Sequence, residues 1–229
     1  MRRLIVVLLL LAAVAIGADR AAHAAAQSEL ATAIQGEEHL TQRPSVQLRG
    51  FPFLTQAASG HYAGGRVRVR DLTVKKVRLQ NLDVDLTHVD VPLGDLIAGS
   101  VRQVPVGLVH GTALIAYGDL AMATGVTDLQ IQPKGDELEL SVPVTYLGQT
   151  VHLVASGRVG VQGKALRITS GAVEGLPLPA QVTQAAFSQL ANAISLDRLP
   201  YGMTVQSIRV TDAGLEVSAL ARNAVLRTP

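Results

Sequence analysis

The chain has no cysteine and no tryptophan, and only seven of its 229 residues are aromatic. The absence of cysteine excludes disulfide bonds, thiol nucleophiles and cysteine-ligated metal sites. The scarcity of aromatic rings argues against a stacking platform for sugars or single-stranded nucleic acids. Because 48% of the residues are hydrophobic, and most of these are aliphatic, stability must come from burial of aliphatic side chains.

Motifs that carry chemistry are also missing from the sequence. It contains no Gly-x-Ser-x-Gly nucleophile elbow, no Walker loop and no dinucleotide glycine fingerprint. The six histidines are at least 16 residues apart, so no local pair has metal-ligand spacing. The net charge of +2 falls to zero without residues 1–18, which argues against nucleic acid as a partner. We therefore predict no catalytic residue, no metal site and no cofactor.

The first segment of the chain is strongly apolar. Arg2 and Arg3 precede an unbroken apolar run of residues 4–18, which ends at Asp19. Such a run after two cations is typical of a secretory signal or a membrane anchor. It predicts an exported protein of the cell envelope, on the outer face of the plasma membrane.

Two fates of this segment remain open. The run is shorter than the roughly 20 apolar residues that cross a hydrocarbon core, which favours a signal peptide cleaved after Ala22-His23-Ala24. Against cleavage, residues 4–35 contain no proline and Gly17 alone among glycines, so one helix can continue out of the bilayer. We favour the anchor, with residues 1–18 as a signal or anchor segment and residues 19–229 as a single domain that includes an N-terminal helix.

From Val67 onward, apolar and polar residues alternate with the two-residue period of half-buried strands. The apolar parity changes after Val69, Val74 and Leu79, and each change requires a turn or a bulge. The pattern therefore predicts a long, curved antiparallel sheet, with hairpin turns at 133–136 and 212–214. Further strands are predicted at Val104–Val109, Leu129–Gln132, Leu138–Val144, Val151–Val161, Ala165–Ser170, Val205–Thr211 and Leu215–Leu220.

Helical periodicity is clearest from Pro179 to Ile194, where apolar residues recur at steps of four. Two shorter helices are predicted at 52–59 and 117–123. Runs of strands with a few segregated helices predict the α+β class, not a nucleotide-binding βαβ fold.

Two charged groups lie on the predicted strands. Arg66, Arg68 and Arg70 share one strand face, where guanidinium groups suit lipid phosphates or acidic glycans. The alternative is an edge strand protected from aggregation by its charges. Asp83, Asp85 and Asp90 are the best carboxylate group for acid and base chemistry; the alternative is the polar face of a half-buried strand.

The segment Gly50-Phe51-Pro52-Phe53-Leu54-Thr55-Gln56, followed by Gly60-His61-Tyr62 and the strand 67–74, resembles the LmeA-like family of actinobacterial envelope proteins. The Asp19-Arg20 pair after the apolar run, the segment Leu199-Pro200-Tyr201-Gly202-Met203-Thr204-Val205 and the turn Asp212-Ala213-Gly214-Leu215 extend this resemblance over nearly the whole chain.

The resemblance implies a fold similar to tubular lipid-binding (TULIP-like) domains, in which a curved antiparallel sheet wraps a long amphipathic helix. It also implies non-enzymatic binding or carriage of phospholipid, as in the lipomannan elongation factor of that family, in support of lipoglycan or envelope assembly. The expected partners are phospholipid, with anionic lipid preferred, and the membrane surface. The open alternatives are a glycan-processing enzyme that uses Asp83, Asp85 and Asp90, and a β-rich structural or adhesion module.

The lipid contacts predicted from the residues fall into three sets. Gly50 and Pro52 place large apolar groups on a short element suited to a mouth or lid. The apolar stripe of the 179–194 helix suits a channel wall, and the arginines suit head groups. The predicted contacts are Phe51, Phe53 and Leu54; Val182, Phe187, Leu190 and Ile194; and Arg66, Arg68 and Arg70.

Overall fold

The computed structural model describes residues 2–74, 77–98, 100–146, 149–162, 165–174 and 199–227. The helices of this part are α1 (Arg2–Glu37), α2 (Phe53–Ser59), α3 (Leu93–Ala98) and α4 (Tyr117–Thr124), with a short 3₁₀ turn at Pro200–Gly202. The strands are β1 (Ser45–Arg49), β2 (His61–Val74), β3 (Val77–Asp90), β4 (Gln103–Ile115), β5 (Gln130–Lys134), β6 (Glu137–Tyr146), β7 (Gln149–Gln162), β8 (Ala165–Glu174), β9 (Thr204–Thr211) and β10 (Gly214–Arg227).

The strands form two sheets. A six-stranded sheet has the order β1-β2-β3-β4-β10-β9, and a four-stranded sheet has the order β5-β6-β7-β8. The predicted α+β class with a curved antiparallel sheet is confirmed. All the predicted strands are present, and several are longer than the sequence suggested. The predicted 179–194 helix lies outside the described residues, and so do its proposed lipid contacts Val182, Phe187, Leu190 and Ile194.

Local irregularities bend the strands. Asp71 in β2, His88 in β3 and Asn223 in β10 have φ angles of 54°, 53° and 49°, which are unusual for non-glycine residues inside strands. The irregularity at Asp71 explains the parity change that follows Val69. The hairpin β5–β6 turns at Gly135-Asp136 between the paired residues Lys134 and Glu137, so that predicted turn is confirmed.

The chain divides into two compact units. The first unit contains Met1–Val69, Asp83–Val109 and Ala221–Pro229, and the second contains Arg70–Leu82 and His110–Leu220. The boundaries fall inside β2, β3, β4 and β10. The prediction of a single domain over residues 19–229 stays a prediction.

The second unit contains an aliphatic core built from strand alternation. In β10, Leu215, Val217 and Ala219 are buried at every second position, as expected for one face of a strand. Leu120 from α4 and Leu138 from β6 are almost completely buried. The buried members of this core are Ile115, Leu120, Ala121, Ile131, Leu138, Leu140, Val159, Val205, Leu215 and Val217.

The first unit begins with the 36-residue helix α1. Its continuity from residue 4 past residue 35 agrees with the helix predicted from the absence of proline. Among the described residues, α1 is the one helix long and apolar enough to cross a membrane by length and composition. Strand β1 and helix α3 were not predicted from the sequence.

Candidate functional site

One attachment of α1 to the rest of the first unit is made by Asp19. This carboxylate is only 3% exposed, and its Oδ1 accepts a hydrogen bond of 2.8 Å from the backbone N–H of Leu54. Leu54 lies in the first turn of α2, whose N-cap residue Pro52 supplies no side-chain hydrogen bond. Asp19 therefore satisfies a free N–H at the start of α2 from outside that helix. Because the acceptor is negative, it also interacts favourably with the helix dipole.

Arg20 connects the same turn of α1 to Phe51. Its Nη2 donates to Asp19 Oδ2 at 2.7 Å, and its guanidinium lies 4.7 Å from the centre of the Phe51 ring. A cation over an aromatic face is attracted by the negative charge of the ring face. The Asp19-Arg20 pair thus fixes the element that carries Phe51 and Leu54 against α1.

A second set of contacts joins α1 to β1. The ring Nε2 of His23 lies 3.2 Å from the carbonyl oxygen of Leu48, and the side-chain Oε1 of Gln27 accepts from the N–H of Leu48 at 3.3 Å. Gln27 Nε2 lies 3.2 Å from His23 Nδ1, so the proton of a neutral His23 belongs on Nε2. Since β1 is the end strand of its sheet, these side chains satisfy backbone groups that face away from β2.

The three predicted contacts of the 51–54 segment differ in exposure. Phe51 is 61% exposed and Leu54 is 45% exposed, whereas Phe53 is buried. The Phe53 ring packs edge-on against His23 at 5.4 Å and lies 6.2 Å from Tyr62. Phe53 therefore holds α2 in place, and Phe51 and Leu54 are the two predicted contacts of this segment that face solvent.

The arginines and aspartates predicted as two separate groups form one ion-pair network. Arg66 Nη2 lies 3.1 Å from Asp85 Oδ2, and Arg68 Nε lies 2.8 Å from Asp83 Oδ2. Arg49 from β1 adds a contact of 2.6 Å to Asp85 Oδ1 and donates to the carbonyl oxygen of Leu86. Within this network three cations face two carboxylates, so most of the positive charge is neutralised locally.

The alternative explanation of these cations as edge-strand protection is wrong for Arg66 and Arg68. Arg66 pairs with Gln47 of β1, and Arg68 pairs with Ser45, so β2 is an internal strand at both positions. Their charges instead join neighbouring strands through the carboxylates of β3. Arg70 is exposed and belongs to the second unit.

The chemistry of Asp85 is set by its neighbours. Partial burial alone would raise its pKa, but the hydrogen bonds and positive charges of Arg49 and Arg66 outweigh that effect and hold the pKa below the usual value of 3.8. A carboxyl group in this setting stays ionised at neutral pH. Asp90 is separately paired with His61, whose Nδ1 lies 2.7 Å from Asp90 Oδ1 on the exposed ends of β2 and β3.

We expect Asp85→Asn to reduce stability in a pH-dependent way. Because the folded-state pKa of Asp85 is lowered, its stabilising contribution is complete above the unfolded-state value of 3.8 and is lost as pH falls through the folded-state value. At neutral pH the variant should lose about 1–2 kcal/mol of unfolding free energy. Urea unfolding should show this difference shrinking near pH 3. An equal deficit at both pH values, or an equal loss in the turn variant Asp136→Asn, would contradict this role.

Several residues of these arrangements have no clear signal in the sequence. Arg49 lies in a strand too short for its alternation to stand out, and the exposed Leu93 and Leu96 of α3 occur in a segment with no helical period to follow. The capping role of Asp19 has no local signal, because its partner lies 35 residues away. Among the described residues, no group of three or more metal-ligating side chains comes together.

Comparison with known proteins identifies a family. The model of the LmeA-like phospholipid-binding family matches residues 17–219. No curated protein and no solved structure shows significant similarity to the chain. The matched range begins just before Asp19 and includes all the strands except the second half of β10, which extends to Arg227. The chain therefore belongs to the LmeA-like phospholipid-binding family.

Proposed function

We propose that the protein binds or carries phospholipid in the cell envelope without catalysing a reaction. The observation that carries this proposal is the family match over residues 17–219. The composition supports it, because an aliphatic protein can bury acyl chains at about 25 cal/mol per Å² of apolar surface removed from water. In this proposal, the bound phospholipid supports the assembly of lipoglycan or of the cell envelope.

The proposed acyl contacts are the solvent-facing Phe51 and Leu54, together with the predicted helix stripe. Phe53 is the weakest of the predicted contacts, since its ring is already occupied by packing against His23 and Tyr62. The proposed stripe residues are Val182, Phe187, Leu190 and Ile194.

We also propose that the protein binds anionic head groups in preference to zwitterionic ones. Arg66, Arg68 and Arg70 are its cations, and the first two keep about half of their side-chain surface exposed. An ion-paired guanidinium still has free N–H groups for a phosphate, because it carries five donors. The pairing with Asp83 and Asp85 reduces the net charge, so we expect a modest preference that weakens with salt.

A glycan-processing activity receives less support from the same residues. A general acid needs a raised pKa, whereas Asp85 is held ionised by two arginines. Asp83 is paired with Arg66 and Arg68, and Asp90 is paired with His61. These carboxylates act more simply as counter-ions that join β1, β2 and β3.

The proposed location of the protein follows from the membrane anchor. Arg2 and Arg3 precede the exposed apolar part of α1, and cations flank the cytoplasmic side of membrane helices. The domain would then lie on the outer face of the plasma membrane.

Uptake of lipid by a protein of residues 19–229 tests the proposal. This version keeps Asp19 and its contacts while lacking the apolar run. We expect it to take up labelled phospholipid from vesicles, and more from anionic than from zwitterionic ones. Absence of uptake from both, together with absence of bound lipid after purification, would contradict the proposed function.

A substitution pair addresses the predicted helix stripe within the same assay. Leu190→Trp should reduce uptake without unfolding the protein, because the larger ring would occupy part of the proposed acyl-chain channel. Ser188→Trp, from the polar side of the predicted helix, is the matched control and should leave uptake unchanged. Equal uptake by both folded variants would remove the stripe from the proposal.

A further inference from the structure

The environment of α1 changes sharply at one point. From Leu4 to Ile16 every large apolar side chain is more than half exposed, whereas Asp19 is buried. Residues 4–18 thus present apolar surface on all sides of the helix, which suits lipid as the surrounding medium. From Asp19 onward the helix is held by hydrogen bonds to α2 and β1.

Two exposed apolar side chains lie on an element that is held by Asp19 and Arg20. Leu54 is tied to Asp19 through its backbone N–H, and Phe51 lies against the guanidinium of Arg20. Both side chains remain open to solvent although they belong to a firmly attached element. Phe51 and Leu54 are therefore held beside Asp19 and Arg20, where the exposed apolar part of α1 ends.

Helix α3 adds to the same part of the first unit. It packs against α2, and the N–H of Val91 just before it donates to the carbonyl oxygen of Gly60 at the end of α2. Leu93 and Leu96 are both exposed. Because they are three residues apart, they lie on one face of α3. Four large apolar side chains are thus exposed on α2, α3 and the turn before α2.

We propose that Phe51, Leu54, Leu93 and Leu96 form a membrane-docking surface that lies in the interface of the bilayer crossed by residues 4–18. The occupant of this surface is the phospholipid bilayer itself. The apolar run spans about 22 Å as a helix, which is less than the roughly 30 Å of a hydrocarbon core. Apolar side chains beside the end of a short span compensate for this mismatch, and Arg20 can reach the phosphates.

Retention of the N-terminal segment is part of this proposal. Cleavage after Ala24 would remove Asp19 and Arg20, and with them the cap of α2 and the contact to Phe51. It would also remove His23, which binds the carbonyl oxygen of Leu48 and packs on Phe53. The helix upstream of Ala24 is therefore a structural part of the first unit as well as an anchor.

The docking surface does not depend on the proposed carriage of lipid. A protein that takes up no phospholipid can still dock in this way, and a lipid carrier can lack the surface. The two claims therefore fail in different experiments.

The absence of tryptophan makes the docking surface directly measurable. Phe51→Trp and Leu93→Trp each introduce one fluorophore into the full chain, which is reconstituted in vesicles of phospholipid brominated near the head-group end of its acyl chains. We expect each to lose about half or more of its emission, since interfacial side chains lie about 5–10 Å into the head-group and acyl boundary. The matched control is Leu30→Trp. Leu30 is exposed on α1, about 16 Å further along that helix than Asp19 and away from the apolar run.

The results separate docking from other contacts. Strong quenching at positions 51 and 93 with little at position 30 supports the proposal. Quenching that is absent, or equal at all three positions, overturns it. Only the quenching that is lost when excess detergent dissolves the vesicles is counted, because quenching that persists there reports lipid bound to the protein. Recovery from membranes of a chain whose mass lacks residues 1–24 overturns the retained anchor.

Discussion

Replacement of Leu120 by alanine is expected to destabilise the second unit by about 3 kcal/mol. The side chain is completely buried among the core residues of that unit, on the short helix α4. Its truncation removes apolar contacts and leaves a cavity that close-packed neighbours cannot fully close. In urea unfolding, with a slope of about 2 kcal/mol per molar, the midpoint should fall by about 1.5 M.

The matched control for Leu120→Ala lies on the same helix. Met122 is 73% exposed, so Met122→Ala should change the unfolding free energy by less than about 0.5 kcal/mol. Similar losses in the two variants would mean that α4 does not bury Leu120 in the core as described.

Gly214→Ala should be at least as damaging, for a different reason. Gly214 has φ of +152°, a conformation that residues with a side chain rarely adopt, and an added Cβ would overlap the carbonyl oxygen of Ile115. Nearby, the Tyr117 hydroxyl donates to the carbonyl oxygen of Thr211 at 2.6 Å, which fixes the turn end of the β9–β10 hairpin. We expect a loss of about 3 kcal/mol or more, measured by urea unfolding.

Gly135→Ala is the control for backbone strain alone. Gly135 lies in the β5–β6 turn with φ of +64°, and an added Cβ would meet no atom within 4 Å. Its cost should stay near 1 kcal/mol, the usual penalty for a side chain in the left-handed region. A Gly214→Ala variant as stable as Gly135→Ala would show that β4 and β10 do not approach as closely as the structure indicates.

The strands were predictable because their signal is local. Alternation of apolar and polar residues follows from one buried face, and Leu215, Val217 and Ala219 are buried as that period requires. The change of parity after Val69 indicated an irregularity, which the structure places at Asp71. The two hairpins were predictable from Gly135 in the β5–β6 turn and from Gly214 directly after the β9–β10 turn. Each has a positive φ that glycine adopts without strain.

The arrangement of the charged residues was not predictable in the same way. The sequence suggested a cationic strand face and a separate acidic group, and strand pairing brings Arg66 and Arg68 against Asp83 and Asp85. Strand β1 is only five residues long, so its alternation was too brief to detect and its Arg49 was overlooked. Contacts between distant segments depend on sheet order, which the residue pattern alone does not fix.

The role of the N-terminal segment shows the same limit. Its apolar run identified a signal or anchor, but the continuous helix through Asp19 and its cap on α2 required the folded arrangement. The structure also shows what the aromatic and apolar residues of the 50–56 segment do. Phe53 packs between His23 and Tyr62, while Phe51 and Leu54 remain exposed beside α1.

The most direct test of phospholipid binding is mass spectrometry of lipid that co-purifies with the full chain. The control is a fusion of residues 1–37 to an unrelated soluble domain, which reports lipid held by α1 alone. We predict that phospholipid stays with the full chain through detergent exchange, in clear excess over the fusion and in a fixed ratio to protein. A full chain that retains no more phospholipid than the fusion would contradict the account.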